Sequence, residues 1–263
     1  MWPGEVASAA LRNHLIRFCG CPMHALTMAE TLAVIEDAIS RRQTVQHVAV
    51  NVAKLVQLQS DDALRRDVAE SDLIGIDGTG VVWGARLAGH HVPERVTGID
   101  LMLALLARCA ERGYRPYFLG AEPAVLEEAL RRLSGRYPGL RIAGAQHGYF
   151  GPDEEAAVMA RIAEARPDCL FIAISSPKKE RLLAAYREQL GVPFLMGVGG
   201  SLDVVAGKVS RAPGWMQRAG LEWLYRLLQE PRRMWRRYLV TNTLYAGLLL
   251  REMLFRRAGS GAA

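Results

Sequence analysis

The sequence predicts an α/β chain, a Rossmann-like, doubly wound and mainly parallel sheet that carries a helical C-terminal appendage. Three observations carry that expectation. Short β-rich runs at residues 45–52, 73–76, 117–119, 141–145, 170–175 and 194–198 alternate with helical patterns. Most of these runs are apolar along their length, as strands covered on both faces are. After Gly207 the strand signal stops, and what remains reads as helices broken at Pro213 and Pro231.

Residues 27–41 form a helix because Thr27 and Glu30 supply a capping box ahead of an apolar periodicity. Residues 124–133 form another behind Pro123, a residue suited to a first helical turn. Strands separated by such helices require right-handed crossovers, which gather the functional loops at the strands' carboxyl ends. The expected organisation is an α/β core over residues 1–207, a basic and aromatic-rich appendage over 208–257, and a disordered tail over 258–263.

At 263 residues and half apolar, the chain has enough material for a substantial core. Cys19, Cys21, Cys109 and Cys169 include no C-x-x-C pair and no companion histidine spacing, so buried reduced thiols and a reducing cytoplasm are expected. There is no secretory leader pattern, and no run reaches the roughly 18 to 20 apolar residues that span a bilayer. A peripheral position on the inner face of the cytoplasmic membrane is the expectation.

Charge is concentrated in the appendage. Between Lys208 and Arg257 eleven basic residues face only Glu222, Glu230 and Glu252, a balance of +8 within a total of +6. Those cations are interleaved with Trp215, Trp223, Tyr225, Trp235 and Tyr238, and the run 238–250 is apolar. Such a segment suits an anionic membrane surface, lying in the headgroup layer rather than crossing it.

Three loops follow strands and combine glycine with polar side chains. Asp77-Gly78-Thr79-Gly80 lets backbone amides approach anionic oxygens, and Asp77 among apolar neighbours has the setting of a general base. A capped Asp-Gly turn accounts for the same residues. Gly197-Val198-Gly199-Gly200-Ser201-Leu202-Asp203 resembles a nucleotide-binding turn with Asp203 as an acceptor, although tight strand-to-helix packing needs the same glycines. Ser175-Ser176-Pro177-Lys178-Lys179-Glu180 offers lysines to phosphate or merely a solvated helix start. His14, His24, His47, His90, His91 and His147 are scattered without metal spacing and read as surface or packing residues.

In this order the motifs resemble the WecG/TagA/CpsF glycosyltransferase family over about residues 26–240. The most specific segment is Gly197-Val-Gly-Gly-Ser-Leu-Asp-Val-Val-Ala-Gly-Lys-Val-Ser-Arg-Ala-Pro-Gly-Trp-Met-Gln, followed by Gly220-Leu-Glu-Trp-Leu-Tyr-Arg-Leu and Glu230-Pro-Arg-Arg. Asp77-Gly-Thr-Gly-Val-Val-Trp, Arg95-Val-Thr-Gly-Ile-Asp, Phe118-Leu-Gly-Ala and Ser176-Pro-Lys-Lys-Glu support it. The resemblance implies inverting, metal-independent and cofactor-free transfer from a UDP-sugar donor to a saccharide on polyprenyl diphosphate. It implies Asp77 as general base, and Asn51, Tyr149, Lys179, Gly199, Gly200 and Asp203 at the donor. Thr79 and Asp100 fall within matching motifs, and Arg226, Arg233 and Arg236 match arginines around the diphosphate. Guanidinium groups there would stabilise the leaving UDP.

Two departures bear on the donor site. Ala49-Val50-Asn51 stands where the family has Thr-x-Asn, and Lys179 replaces an uncharged amide. The donor sugar is therefore left open among N-acetylmannosamine, its uronic acid and a hexose. A nucleic-acid-binding protein using the basic segment is one alternative, disfavoured by the apolar run 238–250 beside it. A catalytically inactive membrane adaptor is another, with Ala49 in its favour and Asp77 against it. Exposed apolar appendage surface also makes a homo-oligomer an expectation.

Overall fold

The computed structural model describes residues 11–260, without the side chains of Arg233 and residues 255–260. Eight strands make one sheet: β1 (Leu15–Phe18), β2 (Cys21–His24), β3 (Val45–Val50), β4 (Leu73–Ile76), β5 (Pro116–Gly120), β6 (Gly144–Gln146), β7 (Cys169–Ala173) and β8 (Phe194–Gly197). Their order is β1-β2-β4-β3-β8-β7-β5-β6, parallel throughout except for β1 against β2. The sheet is thus mainly parallel, in agreement with the pattern of alternating strands and helices.

The β1–β2 hairpin was not foreseen. Its turn is Cys19-Gly20, both at positive φ (49° and 74°), the geometry of a type I′ hairpin. A Cys-Gly dipeptide lacks the asparagine or aspartate that marks such turns in a sequence, and each strand has only four residues. Other differences are at boundaries. The strand expected at 141–145 pairs only from Gly144, because it is an edge strand whose sole neighbour is β5. The run 45–52 stops at Val50 because Asn51 is already the N-cap of the next helix.

The helices are α1 (Met28–Ser40), α2 (Val52–Gln57), α3 (Asp62–Ala69), α4 (Thr79–Leu87), α5 (Gly98–Arg112), α6 (Pro123–Arg136), α7 (Pro152–Ala165), α8 (Lys178–Leu190) and α9 (Ser201–Val205). Thr27 caps α1 with the reciprocal Glu30 bond. Beneath α1 and α5 lie Ile35, Leu101, Leu105, Phe118, Phe171 and Phe194, all fully buried, with the Phe118 and Phe171 rings stacked at 5.6 Å. Each such side chain contributes about 1.5–3 kcal/mol on leaving water, so this layer sets where the strand ends can be. Cys109 and Cys169 sit within it as free thiols, their sulfurs 4.0 Å apart. His24 and His47 are buried packing residues: His24 Nδ1 accepts from the Ile74 amide at 3.0 Å, and His47 fills the space over Gly75.

Three further helices follow: α10 (Gly214–Arg218), α11 (Glu222–Gln229) and α12 (Pro231–Ser260). No described helix is long and apolar enough to cross a membrane. Of the expected tail at 258–263, residues 258–260 continue α12 and 261–263 lie outside the described residues. The long helix docks on α2 and α4, and the Tyr245 hydroxyl donates to Gly80 O at 2.7 Å. Farther along, Glu252 Oε2 accepts from the Cys19 amide at 3.2 Å. Gly84 is the close-approach point, since a Cβ there would collide with the Tyr245 hydroxyl and meet Phe18 at 2.9 Å. Gly84→Ala should therefore lift α12 from the core, at a cost of about 1–3 kcal/mol from overpacking. A lowered melting temperature with faster proteolysis within residues 231–260 is the expected readout, and unchanged protease resistance would contradict it.

Candidate active site at the carboxyl edge of the sheet

Because the strands from β2 to β8 run parallel, the segments after β3, β4, β5, β6, β7 and β8 all emerge along one edge. At its centre β3 leads into Asn51 and β4 into Asp77. Asn51 caps α2, its Oδ1 accepting from the Lys54 amide at 3.0 Å. The Asp77 amide donates to Val50 O at 3.0 Å, and a Cβ on Gly78 would sit 3.2 Å from Asn51 Cα. The two loops are thus pressed together, which favours glycine at position 78.

The Asp77 carboxylate faces Gly98, whose amide donates to it, and that wall also includes Met196 and Ala49. Burial pushes the Asp77 carboxyl above the ordinary aspartate value, with Glu222 adding to the rise, while Arg95, Arg226 and the Gly98 amide pull the other way. Ala49 contributes only a methyl group here, so the hydroxyl expected from the family pattern is absent beside the carboxylate.

Lys179 links Asp77 to the glycine turn. Its stem lies over Gly197, where a Cβ would meet Lys179 Cδ and Cε at 2.7 Å each, and its Nζ is 4.0 Å from the Cβ position of Gly199. Glu180 Oε1 holds the ammonium at 3.5 Å and also accepts from Lys54 Nζ at 2.6 Å. Burial and the Lys54 charge hold Lys179 below the ordinary lysine value, opposed by Glu180 and Asp77. Asp77 and the turn at 197–200 are therefore neighbours along the crevice that the carboxyl ends of a parallel sheet leave. The buried Lys54–Glu180 pair escaped the sequence reading, because 126 positions separate its members and neither sits in a pattern that names the other.

The appendage closes one side of this crevice through ion pairs. Arg95 Nη1 donates to Glu222 Oε2 at 2.7 Å and to Thr79 Oγ1 at 3.0 Å. Arg211 grips Asp100 through two bonds of 2.6 and 2.7 Å and reaches Glu222 at 3.4 Å. Burial alone would raise the Asp100 carboxyl, but Arg211 and the Thr97 hydroxyl outweigh it and hold the group below the ordinary value. Asp100 and Thr79, expected at the substrate, are thus occupied in fastening the appendage. Gly220, at φ 73°, lays its backbone against the Thr79 side chain.

Arg226, on α11, is close enough to Asp77 to oppose its upward shift. Arg236 is exposed and stacks on its neighbour Trp235 with 5.9 Å from guanidinium to ring centre. The Arg233 side chain lies outside the described residues. Beyond the glycine turn is a second rim: Lys208 Nζ contacts Glu122 at 2.9 Å and Asp203 at 3.8 Å, and the exposed Tyr149 hydroxyl meets Glu122. Gly200 adjoins the Asp203 carboxylate. Among the described residues no group of three or more His, Cys, Asp or Glu gathers in a way that could hold a metal ion.

A carboxyl raised above its ordinary value, a partly buried ammonium, an exposed guanidinium and a glycine turn thus gather along one edge of a parallel sheet, where such folds bind their ligands. Comparison with known proteins points the same way. A family model described as "Glycosyl transferase WecG/TagA/CpsF family" matches residues 16–259. A protein of Bacillus spizizenii named N-acetylglucosaminyldiphosphoundecaprenol N-acetyl-beta-D-mannosaminyltransferase is 38% identical over 185 residues, 70% of this chain and 71% of its own. Its counterpart of the same name in Bacillus subtilis is 36% identical over the same shares. With nearly the whole described chain matched and the crevice lying inside the match, the protein belongs to the WecG/TagA/CpsF family of glycosyltransferases.

Proposed function

We propose that the protein transfers an N-acetylmannosaminyl group from a UDP-sugar to an N-acetylglucosamine carried on polyprenyl diphosphate, with inversion and without a metal ion. The observation that carries this reading is Asp77, partly buried at the sheet edge and within reach of the charges of Arg226 from the appendage and Lys179 beside the glycine turn. The names of the two Bacillus relatives supply the sugar and the acceptor.

In the proposed reaction Asp77 takes the proton of the acceptor hydroxyl as its oxygen bonds to the anomeric carbon. The bond from that carbon to the diphosphate oxygen breaks on the opposite face, and its electron pair leaves with UDP. Arg226 meets the growing negative charge, which makes a divalent cation unnecessary. Lys179 adds a second positive charge, while Tyr149 and Asp203 offer an aromatic face and an acceptor for the nucleoside. Arg233 and Arg236 are proposed to join the diphosphate when the acceptor is bound. The appendage presents Trp215, Trp223, Trp235, Leu239, Val240 and Leu244 to the outside, with Arg218, Arg232 and Arg237 also exposed. That surface supports peripheral attachment to an anionic inner-membrane leaflet, each cation contributing about 1 kcal/mol.

Asp77→Asn should lower kcat by about 10²–10⁴-fold in a UDP-release assay with lipid-linked acceptor, while wild-type transfer is unchanged by EDTA. Wild-type rates in the mutant, or loss of transfer in EDTA, would overturn the mechanism. The base must be ionised, and its carboxyl is raised by burial, so kcat/KM should fall on acidification at a pH above that expected for an ordinary aspartate. Arg226→Gln removes a cation that lowers Asp77, so it should move this acid limb further upward as well as reduce kcat by about 10²–10³-fold. An unmoved limb would separate Arg226 from Asp77. Replacing Trp235, Leu239 and Leu244 with serine should cut sedimentation with phosphatidylglycerol vesicles several-fold. Unchanged sedimentation would place the membrane contact elsewhere.

A further inference from the structure

A cavity of about 560 Å³ lies away from the catalytic crevice, between the β1–β2 hairpin, the end of α3 and the amino-terminal part of β4. That volume falls within the roughly 300–1,000 Å³ of small-molecule sites. Its wall is mainly apolar, with Leu15, Leu58, Val68 and Ile74 among its residues. Apart from the arginines, the titratable lining groups are neutral. Burial pushes the thiols of Cys19 and Cys21 up to about 12 and pushes His24 down to about 4, and His24 Nδ1 is already used by the Ile74 amide.

The rim has the opposite character. Arg12 and Arg17 line the cavity from exposed positions, and neither has an ion-pair partner among the described residues; Arg65 is engaged by Asp62. A neutral apolar interior below two unpaired guanidinium groups is complementary to a hydrocarbon chain with an anionic head. The hairpin that walls the cavity is also tied to α12. Glu252 of that helix accepts from the amide of Cys19, a lining residue.

We propose that this cavity receives one acyl chain of an anionic glycerophospholipid, with the phosphate held by Arg12 and Arg17. The hairpin is then a second lipid-holding point, at the far end of α12 from the crevice. The inference rests on the membrane-surface part of the function proposed above and is independent of its chemistry.

The test uses the full chain and a short-chain phosphatidylglycerol kept below its micelle concentration, followed by calorimetry. Short-chain phosphatidylcholine and farnesyl phosphate serve as comparisons. Saturable one-to-one binding of phosphatidylglycerol is expected, at least tenfold weaker for the other two. Ala69→Trp, which enlarges an exposed lining residue at the end of α3, should abolish it with little change in melting temperature. Arg12→Ala with Arg17→Ala should weaken it at least tenfold. UDP release with a water-soluble acceptor should be unchanged in both variants, and its absence from the wild type would sink the catalytic reading alone. The proposal is overturned by no saturable binding, by binding that survives Ala69→Trp, or by a preference for farnesyl phosphate, which would assign the cavity to the acceptor's tail. A lipid-free dimer lost in Ala69→Trp would assign this face to a second copy and overturn it equally.

Discussion

The arrangement of the crevice depends on one charged clasp, in which Arg95 and Arg211 share Glu222 while Arg211 also grips Asp100. Glu222 opens α11, so holding its carboxylate fixes the start of the helix that brings Arg226 toward Asp77. Partly exposed ion pairs of this kind contribute little strength one by one. The docking of Tyr245 and its apolar neighbours on α4 contributes more of the holding force. The clasp supplies direction instead: two bonds fix Arg211 on Asp100, and Arg211 and Arg95 then each hold a different oxygen of Glu222, which limits the rotation of α11.

Charge alternates around the clasp as it does inside the crevice. Asp77 lies between Arg226 and Lys179, and Lys179 between Asp77 and Glu180. Below them Lys54 neutralises Glu180, so the buried carboxylate does not leave an uncompensated charge. Burial and the neighbouring cations therefore act in opposite senses on Asp77, and the balance leaves a carboxyl more basic than usual yet still close to positive charge. A group in that position can accept a proton and then be relieved of it.

The sheet was legible because its buried strands are written as apolar runs, and α1 because Thr27 and Glu30 are three residues apart. The hairpin was not, since its Cys19-Gly20 turn has no conspicuous side chain. Asp77, Lys179 and the glycine turn could be singled out because each follows a strand, and strand order alone brings such loops to one edge. Asp100 illustrates the limit. Its motif marks it as important, but only folding reveals that Arg211, 111 positions away, has claimed both its oxygens. Lys54 and Glu180 form the same kind of long-range pairing, invisible without a third dimension.

The two thiols at the centre of the larger core, Cys109 and Cys169, have a consequence of their own. They are fully enclosed, and burial together with the adjacent sulfur pushes Cys169 well above an ordinary thiol. Neither offers a nucleophile to an alkylating reagent while α5 remains seated on β7. Their modification is therefore an intrinsic clock for the release of α5 from the sheet.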